Sequence, residues 1–203
     1  MSGIQKTRPF KIVLLGDVKV GKSSLINKYQ QQNPTVTTDG IKCTNKDYII
    51  QFRDIAGGHC ELPDYSPWQR NYCREAMGVM FVYDVQTKLS LQNLSWYRTE
   101  LNFLVTQLNG DPIPAVLVGN KYDVGELDGS AMCDQLGIEK WFHVSANTGE
   151  NVSEAFEYLI KKVAYLPSNE FDDVTKLRSQ SFDLYDNMTS LPSKNYSTPC
   201  TVM

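Results

Sequence analysis

Residues Gly16-Asp17-Val18-Lys19-Val20-Gly21-Lys22-Ser23 follow the pattern G-x-x-x-x-G-K-[ST], and each fixed residue suits phosphate chemistry. Glycines let the backbone wrap an anion, and a helix beginning here points its free N–H groups at it. A lysine brings charge to the β- and γ-phosphates of a nucleotide, and the serine hydroxyl can hold Mg2+. The expected phosphate-contacting set is therefore Asp17, Val18, Lys19, Val20, Gly21, Lys22, Ser23 and Ser24. A ligand-free glycine turn is the competing explanation. The apolar run before the motif and the helical stretch after it supply the context that phosphate binding requires.

A second group of residues could read a base. Asn120-Lys121-Tyr122-Asp123 follows the apolar run Ala115–Gly119, and Ser145-Ala146-Asn147 follows Trp141. A carboxylate such as Asp123 can accept two hydrogen bonds, from the ring N–H and the exocyclic amino group of guanine. Adenine lacks that amino group, so the wrong base leaves buried groups unsatisfied. A backbone N–H in the 145–147 loop could meet the guanine carbonyl. Each motif alone is common; in this order, after successive strands, they indicate a guanine site of Asn120, Lys121, Asp123, Ser145, Ala146 and Asn147.

These residues need elements to hold them. Phe10–Gly16 is short, apolar and broken at glycine, as a buried parallel strand would be. A helix is expected from Gly21 to about Gln32, stopped by Asn33-Pro34. Ile41–Arg53, with Asn45-Lys46 near its middle, reads as a two-stranded hairpin. Gly78–Asp84, Ala115–Gly119 and Trp141–Ser145 are further strands. Leu91, Leu94, Leu101, Leu104 and Leu108 recur at helical spacing, and a last helix is expected from Val152 to about Ala164. Six strands alternating with helices imply an α/β fold, a mostly parallel sheet flanked by helices, with ligands at the strands' carboxyl ends.

A 41% hydrophobic content supports a real core, and a net charge of −3 gives no electrostatic reason to expect nucleic acid as a partner. The five cysteines are scattered without zinc or disulfide spacing, which suits reduced thiols in a cytoplasmic protein. The stretch Met1–Lys11 lacks the apolar core of a secretory signal, and no run is long enough to span a membrane. The chain divides into a domain at 10–166 and a tail at 167–203, where polar residues dominate and the pattern dissolves.

From Lys11 to about Ala164 the chain resembles the small GTPases of the Ras superfamily, and within it the Rab branch. The resemblance implies a P-loop NTPase small G domain that binds GTP and GDP with Mg2+. Asp54-Ile55-Ala56-Gly57 occupies the place of D-x-x-G, whose Asp reaches the metal through water and whose Gly N–H meets the γ-phosphate. Ile55, the runs Tyr72–Ala76 and Pro112–Leu117, and Trp141-Phe142 resemble the Rabs of lysosome-related organelles. Thr38, followed by Gly40 with the family's T-x-G spacing, is the implied switch threonine, with Thr35 as a rival; the implied metal set is Ser23, Thr38 and Asp54.

The chain also departs from the family. Gly58 stands where a glutamine usually orients the attacking water, so intrinsic hydrolysis is expected to be very slow or absent. His59, next along, is a weak substitute or a solvent-facing loop residue. The aromatic that usually flanks the guanine has no clear counterpart, which implies weaker nucleotide retention. Asp39 and Arg53 replace usual contact residues, and Pro63 and Pro67 preclude a regular helix through the second switch. Tyr65 and Trp68 there form either an interaction surface or packing against a neighbouring helix.

Cys200-Thr201-Val202-Met203 fits C-a-a-X, whose terminal Met favours a farnesyl group on Cys200. Between Ser168 and Pro199 three basic residues face five acidic ones, so no polybasic patch reinforces a single lipid. The expectation is a cytoplasmic protein reversibly attached to the cytoplasmic face of an intracellular membrane. Three functions compete: a GTP/GDP switch in vesicle traffic, with unidentified effectors, exchange factor and activating protein; a nucleotide-bound scaffold that no longer hydrolyses GTP usefully; and an ATP-dependent small-molecule kinase. The last lacks a recognisable acceptor site.

Overall fold

The computed structural model describes residues 9–34, 41–43, 48–54, 73, 76–104, 112–125 and 127–165. Six strands form one sheet: β1 (Pro9–Leu15), β2 (Ile41–Cys43), β3 (Tyr48–Asp54), β4 (Gly78–Asp84), β5 (Ala115–Asn120) and β6 (Trp141–His143). Their order is β2-β3-β1-β4-β5-β6, and only β2 runs antiparallel to its neighbour. Among the described residues the helices are α1 (Lys22–Gln32), α2 (Lys88–Gln92), α3 (Leu94–Leu104), α4 (Ser130–Leu136) and α5 (Val152–Ala164), with a 3-10 turn at Tyr122–Val124. The expected six-stranded, mostly parallel α/β sheet is the one observed, including the hairpin, in which Ile41 pairs with Ile50.

Strand side chains alternate between faces, and here both faces are dry. Ile12, Leu14, Met80, Val82, Val116 and Val118 point to the side covered by α1 and α5. Val13, Leu15, Val79, Phe81, Tyr83 and Leu117 point to the side covered by α2, α3 and α4. Each fully buried aliphatic or aromatic side chain contributes roughly 1.5–3 kcal/mol. That is why the central strands are continuous apolar runs. On the first face Tyr29 stacks on Phe156, centroids 4.5 Å apart, and Phe52 meets both rings edge-on. On the second, Arg98 is buried with its guanidinium 5.7 Å from the centre of the Phe81 ring. The ring face offsets part of the cost of a buried charge.

Three details go beyond or differ from the sequence reading. The leucine spacing from Leu91 does not form one helix: α2 ends and α3 begins around Asn93, whose carbonyl accepts from Trp96 and Tyr97 N–H. Leu108 lies outside the described residues. The last strand stops at His143, because the Ser145 N–H donates to Glu150 O and its carbonyl accepts from Gly149 N–H, a local loop that leaves the ladder. Helix α4 was not anticipated. Asp128 accepts both the Ser130 N–H and hydroxyl at 2.8 Å, which starts it. Gly137, at φ 63°, ends it, with Gly137 N–H on Asp134 O and Ile138 N–H on Cys133 O.

Candidate functional site

The carboxyl ends of β1, β3, β4, β5 and β6 lie along one edge of the sheet, because these strands are parallel. The loop after β1 turns into α1 through three residues at positive φ, Gly16 at 150°, Lys19 at 64° and Gly21 at 98°. A side chain at Gly21 would meet Asn120, since an added Cβ would sit 2.3 Å from its Nδ2. The loop therefore passes directly against the base motif. Lys22 opens α1 and is 5% exposed; its Nζ donates to the carbonyls of Gly16 (2.9 Å) and Asp17 (2.8 Å), inside the curve of the loop. The Asp17 carboxylate accepts from Asn93 Nδ2 at 2.8 Å and from the Tyr97 hydroxyl at 3.2 Å.

Asn120 ties the two halves of the site together. It is 1% exposed; its Nδ2 donates to Val20 O at 2.8 Å, and its Oδ1 accepts the Ala146 N–H at 3.0 Å. That Ala146 N–H, a natural donor for a base carbonyl, is thus also engaged within the protein. Lys121 sits at φ 68° and pairs with Asp84 across 2.5 Å. Asp84 was not singled out from the sequence, although it ends β4 on the same edge and the rule that ligands gather there would have flagged it.

The Asp123 carboxylate accepts from Ser145 Oγ at 2.7 Å and Asn147 Nδ2 at 3.2 Å. The Ser145 hydroxyl, followed by Asn147, holds its pKa below the ordinary aspartate value. Asp123 therefore stays ionised and acceptor-only, as reading two N–H donors demands. A cavity of about 460 Å³ opens between the groups, lined by Lys19, Gly21 and Ser24 on one side and Asn120, Lys121, Asp123, Val124, Ala146 and Asn147 on the other. That size suits a small organic ligand such as a nucleoside.

The structure thus brings together Lys19 to Ser24 with the six expected base-side residues. Register pairs Leu14 with Asp54, so the backbone of Asp54 lies on the same edge, near the loop that leads to Ser23. Gly57, Gly58, His59, Thr35, Thr38, Asp39, Tyr65, Trp68 and Cys200 lie outside the described residues, as do residues 166–203. Among the described residues, no helix is long and apolar enough to cross a membrane.

A mostly parallel sheet with a glycine-lysine loop after its first strand, facing the loops after its last two across one cavity, defines the P-loop class of fold. The Ras family matches residues 11–165, about three quarters of the chain, and the chain belongs to that family of small GTPases. It is similar to human Ras-related protein Rab-32, 30% identical over 189 residues that cover 83% of this chain and 82% of the relative. It is also similar to human Ras-related protein Rab-7L1, 28% identical over 94% of this chain and 96% of the relative. Arabidopsis thaliana Ras-related protein RABE1e is 32% identical over 75% and 74%. These values mark it as a divergent, Rab-like member.

Proposed function

We propose that the chain is a GTP/GDP switch in membrane traffic. The observation that carries this reading is the ionised Asp123, fixed by Ser145 and Asn147, in a cavity whose other wall is the loop containing Lys19, Gly21 and Ser24. The N-terminus of α1 and Lys22 supply positive potential for the phosphates. Phosphate contacts fall to Asp17, Val18, Lys19, Val20, Gly21, Lys22, Ser23, Ser24 and Gly57, and guanine contacts to Asn120, Lys121, Asp123, Ser145, Ala146 and Asn147. Ser23, Thr38 and Asp54 would hold Mg2+, a set that leaves room for water and phosphate oxygens. The ion would neutralise phosphate charge. Binding of the γ-phosphate would order two loops, and its loss would release them.

With Gly58 in the glutamine position, intrinsic hydrolysis is slow and the timer depends on an activating protein. A single prenyl group on Cys200 gives reversible attachment to a cytoplasmic membrane face. Gly58 and the exposed Lys19 also favour a second reading, a scaffold held in one nucleotide state. The deciding experiment identifies the nucleotide in the purified protein, then competes labelled GTP with excess GDP, GTP or ATP in the presence of Mg2+. Competition by GDP and GTP but not ATP supports the guanine switch; no affinity for either guanine nucleotide defeats it.

A further inference from the structure

We propose that the elbow between α2 and α3 positions the phosphate-binding loop, with Asn93 and Tyr97 acting on it through the carboxylate of Asp17. The inference rests on the nucleotide-binding reading above and adds positioning residues to it. An aspartate is an awkward choice inside a loop built to hold phosphates, because its charge has the same sign as the ligand's. Here that charge is turned to the other side. Asp17 Oδ2 takes a hydrogen bond from Asn93 Nδ2 at 2.8 Å and Oδ1 one from the Tyr97 hydroxyl at 3.2 Å, from residues 76 and 80 positions away. Both donors stand on rigid supports. Asn93 closes α2 through its own N–H on Leu89 O and opens α3 with its carbonyl. Tyr97 is 3% exposed within the second core.

The backbone of the same aspartate does the work at the ligand. Its carbonyl accepts from the Lys22 ammonium, as does that of Gly16. The chain of contacts is therefore elbow to carboxylate, aspartate backbone to lysine, lysine to phosphate. Removing the elbow donors leaves a half-buried carboxylate with two lost partners. It then turns toward water or toward the loop interior, and the carbonyl that seats Lys22 moves with it. The same segment reaches the base side through Asp84, whose N–H takes the Ser90 hydroxyl as acceptor at 3.0 Å and whose carboxylate holds Lys121.

The test is the release of a fluorescent GDP from the full-length, GDP-loaded protein chased with excess unlabelled GDP, together with the melting temperature of each variant. Hydrogen bonds to a charged group are strong enough for Asn93→Ala to speed release on the order of tenfold, and Tyr97→Phe by about threefold. In an Asp17→Ala background, where no carboxylate needs seating, Asn93→Ala should add less than about twofold. Equal acceleration in both backgrounds would show that the elbow acts by another route and overturn the proposal. So would a lowered melting temperature with an unchanged release rate, the mark of a merely structural contact. If Asn93→Ala does not fold, Tyr97→Phe, which removes one hydroxyl, carries the same cycle. A wild-type chain that retains no labelled GDP overturns the nucleotide reading itself, a result separate from the cycle.

Discussion

Replacing Asn120 by alanine is the most informative single perturbation of the site. The side chain is buried and uses both ends of its amide, one on Val20 O and one on the Ala146 N–H. Alanine removes both partners at once and leaves a carbonyl and an N–H facing a void. An orphaned buried group costs about 1–3 kcal/mol, and the neighbouring cavity lets water reach these two, which places each near the lower end. A combined loss of about 2–4 kcal/mol follows. Because the two orphans belong to opposite walls of the site, most of that loss should fall on GDP binding, a weakening of roughly 30- to 1000-fold. Equilibrium titration with a fluorescent GDP measures it, and thermal melting of the nucleotide-free chain measures the remainder. A 2 kcal/mol loss of stability would lower Tm by roughly 4–8 °C for a domain of this size. Gly21→Ala approaches the same amide from the other wall, with its Cβ 2.3 Å from Asn120 Nδ2, and should weaken binding in the same direction. An Asn120→Ala protein that binds GDP within threefold of wild type and melts at the same temperature would refute the bridge.

Other outcomes follow from the same geometry and sequence. Asp123 has a depressed folded-state pKa, so its contribution is present above the ordinary aspartate value of 3.8 and is lost as pH falls through the lower folded value. GDP affinity should thus be insensitive to this group between about pH 5 and 8; Ser145→Ala removes the largest cause of the depression and should move the acid loss of affinity to higher pH, as titrations at stepped pH would show. Single-turnover hydrolysis of bound GTP should be very slow in the wild type and faster in Gly58→Gln; rapid wild-type turnover unaffected by His59→Ala would contradict the role given to the missing glutamine. In cells, Cys200→Ser should shift the protein from membrane to soluble fractions, and salt-resistant membrane association of that variant would exclude the lipid anchor.

How much of this could be read from the chain differs from element to element. β1 and β4 announced themselves because strands buried on both faces are unbroken apolar runs, and α5 kept its period from Val152 to Ala164. Helix α4 escaped because seven residues of mixed polarity carry too little periodicity; its only signals were at the ends, in Asp128-Gly129-Ser130 and Gly137. The break at Asn93 was hidden by leucines that keep helical spacing through it. What makes Asn93 special is a bond to Asp17, 76 residues earlier, which no local pattern reports. On the site itself, motif spacing put the glycine-lysine loop and the residues expected to read a base on one edge of the sheet. It did not disclose that Asn120 spans them or that Asp84 holds Lys121, since both are pairings that exist only after the strands align.

The sheet order has a consequence for how such a chain can change over time. Asn120, Lys121 and Asp123 are braced by Val20, Ala146, Asp84, Ser145 and Asn147, all supplied by β4, β5, β6 and the loops at their tips, or by the turn after β1. β2 and β3 form the opposite flank of the sheet and supply none of these bracing groups. Substitutions in β2 and β3 should therefore leave the bracing of Asn120, Lys121 and Asp123 intact. Constancy on one flank of the sheet and change on the other are thereby separable within one molecule.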